Sequence, residues 1–374
     1  MTYQAWTAIL GKRGERYDRQ GKVRDAMAIA SRWQPWVGAL RSLPWATRTL
    51  RSEVVGFWSD RNAFVIVPSA GPRESLHYYV YSDHLSWDAM KLDPQGIPLY
   101  RGRLFGYTYS PPYIAWYGLV HLEQYLRGTN PAGQSVFLKQ VEWLEAHAVR
   151  QPRGETIWPM TFDWREGRCD LKAPWVSAYA QGLVISALVR AYRITGREEL
   201  LDLCRSAADV FRQDVKAGGV RSIEERGVFY AEYPCSGAPR ILDGFLSSLL
   251  GLYDLFAQTE DPLVFELFSE GVKGLRHLLP YWSYREKWGW YGSRYYLCSP
   301  GYHQLNRALL LAVSKVGGEP ALERCARMWD PARLTMAGRL EVFMVFVLTK
   351  NLSRLKYQTW REKTNASLRG SADA

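Results

Sequence analysis

The strongest constraint on the fold is a repeat of helical hairpins. Apolar-periodic helices open at Ile114, Ser177, Ile241 and Tyr302, so that successive starts lie 63, 64 and 61 residues apart. A tight turn and a second apolar-periodic helix follow each of them. A helix pair of this length cannot bury its apolar face alone, so neighbouring pairs pack side by side. The sequence therefore predicts a mainly α fold, an incomplete (α/α) toroid of about four helical hairpins.

The turn residues agree with this pattern. Gly128, Gly196 and Gly317 lie where the end of a helix takes a left-handed conformation. Pro262 and Pro320 suit the first turn of a returning helix. These residues predict where each hairpin reverses its direction.

Long connectors rich in Gly, Pro and aromatic residues join the hairpins, over residues 150–176, 216–240 and 280–301. If the hairpins point the same way, all three connectors emerge on one face. Long loops on one rim of a rigid scaffold are where functional sites are usually built. We therefore expect the site on this rim.

The sequence divides into four parts. Residues 53–110 contain β-branched and aromatic segments and predict a small β-subdomain, and residues 111–356 form the helical repeat. Residues 357–374 are expected to be a disordered tail. The basic, Trp-rich segment 1–52 predicts helix, and two interpretations stay open. It either rests on an anionic membrane surface as a peripheral contact or packs across the toroid.

Apolar patterning predicts no membrane-spanning helix. The best candidate, Leu340–Leu348, is short and contains Glu341. The N-terminus shows no signal-peptide pattern, and the five cysteines form no CxxC pair. These features argue against a disulfide framework and a zinc site. They predict a cytoplasmic location, with the inner face of the membrane as a second option.

Charge indicates the kind of partner. The 374-residue chain has a formal net charge of +11, which favours an anionic partner. Its 16 Trp and 23 Tyr residues can stack on sugar rings or on bases. No helix-turn-helix, RNP or zinc-finger pattern is present, so we expect an acidic polysaccharide and no nucleic acid.

Three connector motifs combine phenols with charge. They are Tyr230-Ala231-Glu232-Tyr233-Pro234, Trp290-Tyr291-Gly292-Ser293-Arg294-Tyr295-Tyr296 and Gly301-Tyr302-His303. A positioned carboxylate and a phenol can exchange a proton with a carbon acid. A guanidinium can neutralise a substrate carboxylate through a bidentate contact. Such a set suits acid–base chemistry on an anionic substrate, although each motif also fits ordinary rim packing.

These motifs resemble the C-terminal domain of D-glucuronyl C5-epimerases. The resemblance rests on APWVSAYAQGLVISALVRAYRITG, on AEYP followed by ILDGFLSSLLGLYDL, and on the WYGSR and YH elements, and it covers roughly residues 75–315. It implies an isomerase that converts D-glucuronate to L-iduronate within a heparosan-like polysaccharide or its lipid-linked precursor. No metal or cofactor is expected, and a homodimer is one possible assembly.

The resemblance also implies residue roles. Glu232, Tyr233, Tyr291, Tyr302 and Arg294 are the implied catalytic residues, with Arg294 on the substrate carboxylate. The sequence does not say which residue is base and which is acid. The predicted substrate-binding residues are Tyr107, Tyr109, Trp158, Trp175, Gln181, Asp243, His303 and Asn306.

Some of these positions keep alternatives or depart from the family. Trp175 fits the core as well as a sugar platform, and Gln181 either binds a hydroxyl or caps the packing between helix pairs. Asp243 stands where relatives usually have Asn, and Asn306 lies near a position that is His in animal members. These departures bear on the identity of the polymer more than on the type of reaction.

Other function classes remain open at this stage. A polysaccharide lyase would begin with the same proton abstraction at C5. A glycoside hydrolase needs two carboxylates, for which Asp163 and Asp170 are candidates beside Glu232. A non-catalytic polysaccharide-binding or assembly protein could also use this scaffold.

Overall fold

A computed structural model describes residues 55, 57–58, 65–66, 75–81, 90–102, 106–236, 239–292 and 295–370. The chain divides into two compact units, residues 52–357 and residues 1–51 with 358–374. Of the second unit the structure describes only the backbone of 358–370, which is helical. The predicted membrane contact of residues 1–52 lies outside the described residues.

The described part of the chain is mainly helical, which confirms the predicted mainly α class. The helices are α1 (Pro111–Leu126), α2 (Gly133–Ala146), α3 (Ala178–Thr195), α4 (Glu198–Ala208), α5 (Leu242–Thr259), α6 (Pro262–Leu278), α7 (Pro300–Gly317), α8 (Pro320–Met328) and α9 (Met336–Gly370). The first eight form hairpins in chain order, and the first helices of the hairpins, α1, α3, α5 and α7, pack side by side. None of the helices in this part of the chain combines the length and apolar character needed to cross a membrane.

Helix α9 continues through much of the segment for which the sequence predicted a disordered tail. Antiparallel strand pairs occupy the connectors and the region ahead of α1. The pairs are β1 (Val65–Ile66) with β2 (Val80–Tyr81), β3 (Tyr100–Gly102) with β4 (Gly106–Thr108), β5 (Val149–Arg150) with β6 (Thr156–Ile157), β7 (Trp164–Glu166) with β8 (Cys169–Leu171), β9 (Arg221–Glu224) with β10 (Gly227–Tyr230), and β11 (Ser283–Tyr284) with β12 (Trp288–Gly289). Within 53–110 the described strands therefore form two separate pairs.

Glycine and proline end and begin the helices largely where the sequence predicts. Gly128 and Gly196 take positive φ angles after α1 and α3, and α6 and α8 begin with proline. The prediction for Gly317 is wrong by one residue, because Gly317 is helical and Gly318 takes the left-handed conformation. The hairpin turns thus follow from local chemistry.

Helices α3 and α5 touch through their backbones. A Cβ atom added to Gly251 would lie 2.2 Å from the carbonyl oxygen of Gly182, and one added to Gly182 would lie 2.4 Å from the Cα of Ser248. Any larger residue at either glycine would force the helices apart. This contact holds the two central helices at the smallest separation that their main chains allow.

A buried ion pair ties the segment 75–81 to the same two helices. Arg190 of α3 donates to Asp254 of α5 at 2.6 Å, and both side chains are fully buried. The guanidinium also donates to the carbonyl oxygens of Leu76 and His77, and the Tyr79 hydroxyl donates to Asp254. Every charge in this cluster therefore has a hydrogen-bond partner, as a buried ion pair requires.

The structure pairs Cys169 with Cys235 in a disulfide, with 5.8 Å between their Cα atoms. The sequence argued against a disulfide framework, and the structure nevertheless forms this one bridge. The cysteines lie 66 residues apart, and only the packing of β8 against the loop after Tyr233 brings them together. The spacing of two cysteines along the chain does not predict a disulfide of this kind.

Candidate active site

The floor of the site is formed by the first turns of neighbouring helices. Tyr179 is the second residue of α3, Asp243 is the second of α5, and Tyr302 is the third of α7. Since these helices are packed side by side, their N-terminal ends lie next to one another. Burial raises the pKa of both Tyr179 and Tyr302, and the Asp243 carboxylate raises each of them further.

Glu232 reaches this floor from the connector that follows β10. Its Oε2 atom packs so closely on the backbone of Gly244 that a Cβ atom there would lie 2.2 Å away. The hydroxyl of Tyr233 donates a hydrogen bond to the Glu232 carboxylate. A glycine in the first turn of α5 therefore makes room for the carboxyl group.

The two carboxyl groups have strongly perturbed acidity. Burial raises the pKa of Glu232 well above its usual range, and the Asp243 carboxylate raises it further. Burial raises the pKa of Asp243 to about 6, against hydrogen bonds from its own N–H and that of Gly244. Two buried carboxyls this close resist simultaneous ionisation, a feature typical of acid–base sites.

Tyrosines from the third connector line the wall beside Tyr302. The Tyr291 ring meets the Tyr302 ring edge to face at 5.2 Å and stacks on Tyr296 at 4.9 Å. Tyr302 is 44% exposed, so a ligand can reach it. Burial of its hydroxyl raises the pKa of Tyr302, and the negative charges of Asp243 and Glu232 raise it further.

The β7–β8 hairpin closes the opposite wall. The Trp164 ring stacks on the Tyr233 ring at 6.1 Å, and the Cys169–Cys235 disulfide ties the hairpin to the loop that follows Tyr233. The carboxylate of Glu166, at the end of β7, raises the pKa of Tyr233 and contributes to that of Glu232. Glu166 is thus a third carboxyl group within reach of this site.

The structure does not bring the two suggested hydrolase carboxylates to the floor. Asp163 accepts from Lys172 at 2.8 Å, and Asp170 accepts from Arg165 at 2.9 Å. Both carboxylates that kept the hydrolase alternative open are therefore held in ion pairs with basic side chains. Asp243 and Glu166 are the acidic residues found there instead.

Four of the predicted catalytic residues lie in one cluster whose members affect one another's pKa. They are Glu232, Tyr233, Tyr291 and Tyr302. The fifth, Arg294, lies outside the described residues. Its assignment to the substrate carboxylate therefore stays a prediction.

Two predicted substrate-binding residues are core residues. Trp158 is fully buried, and its Nε1 donates to the carbonyl oxygen of Leu144 at 2.7 Å, so its ring offers no face to a sugar. Gln181 is also fully buried and bonds the backbone of Trp158 and Thr156. Gln181 therefore caps the packing between helix pairs, which was the alternative to hydroxyl binding.

Three further candidates serve packing near the site. Trp175 is 8% exposed and donates from Nε1 to the carbonyl oxygen of Phe162. His303 is fully buried, accepts from the N–H of Gly289 and donates to the carbonyl oxygen of Trp329. Asn306 is fully buried and donates to Cys298 Sγ at 3.4 Å. These side chains thus take part in packing beside the site, and their role in substrate binding stays a prediction.

Tyr107 and Tyr109 are exposed, as sugar platforms require, and lie on or beside β4. Lys91 lies over the Tyr107 ring at 4.3 Å, whereas the Tyr109 hydroxyl donates to Asp93 at 2.7 Å. The preceding strand of this hairpin carries Tyr100, whose pKa is raised by burial and by the charges of Glu166 and Glu232. The hairpin therefore extends from the site to the surface.

Tyr179 and Glu166 were not predicted as site residues from the sequence, although the hairpin repeat indicates Tyr179. Aligning the hairpin repeats places Tyr113, Tyr179, Asp243 and Tyr302 in the first turns of α1, α3, α5 and α7. A polar or phenolic residue recurring at the same point of an otherwise apolar helix is a functional signal. Glu166 has no such signal, because only the tertiary packing of its hairpin brings it to the site.

The fold and the site together define a helical-hairpin protein whose helix ends carry an acid–phenol centre. Residues 153–331 match the family described as "D-glucuronyl C5-epimerase C-terminus". The matched region contains Glu232, Asp243, Tyr291 and Tyr302. The matched region covers just under half of the chain, which over this domain is similar to D-glucuronyl C5-epimerases.

Two relatives show how far the similarity extends. The chain is 27% identical over 234 residues to the D-glucuronyl C5-epimerase of Caenorhabditis elegans, an alignment that covers 58% of this chain and 38% of the relative. It is 23% identical over 245 residues to an uncharacterized protein of Methanocaldococcus jannaschii, covering 61% of this chain and 79% of the relative. The match thus spans well under half the length of the worm enzyme.

Proposed function

We propose that the protein is an epimerase that inverts C5 of D-glucuronate to L-iduronate within an acidic, heparosan-like polysaccharide or its lipid-linked precursor. The observation that carries the proposal is the clustering of Glu232, Asp243 and Tyr302, in a region that matches the D-glucuronyl C5-epimerase C-terminus. A carboxyl and a phenol are the two kinds of group that the reaction needs. The net charge of +11 suits an anionic polymer.

The chemistry is a proton exchange at a carbon next to a carboxylate. We assign Glu232 as the base that removes the C5 proton, because its raised pKa brings it closer to neutrality than an ordinary carboxyl. Tyr302 supplies a proton from the opposite face of the ring, and Tyr233 and Tyr291 support the two groups. Positioned acid–base groups of this kind contribute about 10²–10⁴-fold in rate.

Removing the C5 proton beside a charged carboxylate would create a dianion, so that carboxylate needs a positive partner. We assign this role to Arg294. Replacing Arg294 with Lys keeps the charge but loses the planar fork, and we expect turnover to fall strongly. Turnover close to that of the wild type would remove Arg294 from this role.

A glycoside hydrolase is the second candidate, favoured by one specific observation. Asp243 and Glu166 supply the additional carboxyl groups that such an enzyme requires beside Glu232. A lyase would share the abstraction step and then expel the C4 oxygen. These outcomes differ in chain length and in isotope content, so one experiment separates them.

The deciding experiment incubates the protein with a panel of uronate polymers in deuterated water. Epimerisation puts deuterium at C5 and leaves the chain length unchanged, whereas a lyase gives shorter chains with unsaturated ends and a hydrolase gives shorter saturated chains. Failure of the wild type to exchange deuterium on any polymer it binds would point to a binding or assembly protein. Tyr302→Phe serves as the matched control for background exchange.

The setting in the cell is also a proposal. Peripheral membrane contact through residues 1–52 and a homodimer stay proposals, as does a cytoplasmic location at the inner face of the membrane. The Cys169–Cys235 disulfide removes the cysteine argument for a reducing compartment.

A further inference from the structure

Helix α9 exposes a row of apolar side chains along its first half. Long apolar residues recur there at every fourth position, each more than half exposed, and we call them the apolar stripe: Met336, Leu340, Met344, Leu348 and Leu352. Four residues turn a helix by about 400°, so the stripe spreads over about 160° and runs for about 24 Å along the axis. A contiguous exposed row of this kind marks an interaction surface, whereas single exposed apolar residues do not.

Helix α9 packs into the fold through its other side. Val342 and Phe346 are fully buried, and they belong to the cluster that contains Trp288 and Leu297. The helix therefore has one apolar side that the core uses and a second apolar side that the described residues leave in solvent.

The charges along this part of α9 are mostly positive. Residues 336–356 contain one acidic residue, Glu341, and four basic ones, Arg339, Lys350, Arg354 and Lys356. The single acidic side chain is neutralised, because Glu341 accepts from Arg285 at 3.0 Å and from Lys287 at 2.7 Å. Apolar side chains flanked by basic ones are typical of a helix that lies on an anionic membrane surface.

We propose that the apolar stripe and its basic neighbours dock the protein on an anionic lipid bilayer. The same charges disfavour a second copy of the chain as the occupant. If two stripes paired antiparallel about Met344, Arg339 of one copy would lie within a residue of Lys350 of the other, and like charges facing each other are costly. A parallel pair would bring the two copies of Arg339 together.

Docking through α9 also bears on the candidate active site. The Nζ atom of Lys350 lies 5.3 Å from the centroid of the Tyr296 ring, and Tyr296 stacks on Tyr291, which meets Tyr302. Helix α9 thus contacts the tyrosine wall of the site. Docking would bring that wall to the surface that anchors a lipid-linked polymer, a consequence that rests on the proposed epimerase function, whereas the docking itself does not.

Vesicle flotation with the full-length protein tests the docking. We expect the wild type to float with vesicles of phosphatidylcholine and phosphatidylglycerol, and much less with phosphatidylcholine alone. Replacing Leu340, Met344 and Leu348 together with Gln should lower the partition coefficient by about 10²-fold, because burying each half-exposed side chain contributes about fivefold. The matched control replaces Leu263 and Phe265, two exposed apolar residues of α6, with Gln and should float like the wild type. Circular dichroism checks that all variants are folded.

A charge reversal tests the choice of an anionic surface. Arg339→Glu should lower binding to the mixed vesicles by about 30-fold, since each basic residue near such a surface contributes about fivefold and the reversal counts twice. Arg339→Lys keeps the charge and should bind like the wild type. Equal binding of Arg339→Glu and the wild type would overturn the anionic bilayer as the occupant.

The remaining outcomes are also decisive. A wild type that floats with neither kind of vesicle, or a triple glutamine variant that floats like the wild type, would overturn docking through α9. Light scattering tests the other occupant, because a dimer that the three substitutions convert to a monomer would make the stripe an interface between copies. Deuterium exchange on a soluble polymer needs no vesicle, and the triple variant should retain it. Loss of exchange in the wild type would therefore defeat the epimerase proposal and leave the docking result in place.

Discussion

Gly244 controls the position of the Glu232 carboxyl, and Gly244→Ala isolates that effect. The new Cβ would lie 2.2 Å from Oε2, against 3.4 Å for ordinary contact, so the carboxyl must retreat by about 1 Å. The Glu232 Cβ would lie only 2.9 Å away, so the main chain of the connector must shift as well, at some cost in stability. Alanine favours the helix by about 1 kcal/mol over glycine, which offsets part of that cost. We therefore expect a folded protein that loses little stability.

Turnover should fall in spite of that stability. A displacement of about 1 Å in a reacting group costs about 10²-fold in rate, or about 2.7 kcal/mol of barrier. Deuterium incorporation into the polymer measures the rate, and thermal unfolding measures stability. Gly317→Ala is the matched control, because its Cβ meets ordinary contacts of 3.4 Å at the far end of α7. Wild-type turnover in Gly244→Ala would refute the placement of Glu232.

Three further predictions follow from other parts of the structure. Tyr302→Phe should reduce deuterium exchange by about 10²–10⁴-fold while polymer binding, followed by calorimetry, persists; equal losses of both would argue for a binding role. Cys235→Ala should lower the free energy of unfolding by roughly 4 kcal/mol, the chain-entropy value for a loop of 66 residues, in urea titrations without reductant; reductant should make the two proteins alike. Burial lowers the pKa of His303 to about 3, so its neutral form favours the folded state above pH 6.5, and that contribution should fade as the pH drops towards 3. Unfolding free energies at pH 7 and pH 4 should therefore differ less in His303→Gln than in the wild type, and an equal difference would contradict this.

The helical repeat was predictable because its signals are local. The spacing of apolar residues gave the hairpins, and proline and glycine marked most of their ends. The same repeat placed Asp243 and Tyr302 at equivalent first turns, so their proximity follows from side-by-side packing. A repeated sequence pattern therefore predicts which residues lie next to one another in the fold.

The errors arose where long-range packing decides the role of a side chain. From their residue types, Trp158 and Gln181 look like carbohydrate-binding residues, yet they bond each other and the neighbouring backbone. The Cys169–Cys235 disulfide and the position of Glu166 depend on how a hairpin folds against a distant loop. Residue type alone does not reveal the direction of a side chain.

The backbone contact between Gly182 and Gly251 has a mechanical consequence. With no layer of side chains between α3 and α5, there is nothing to compress or repack at that crossing, and the two helices can only move as one piece. The separation between Tyr179 and Asp243 is therefore fixed by main-chain geometry. Movements of the surrounding loops therefore leave the spacing of these two groups unchanged.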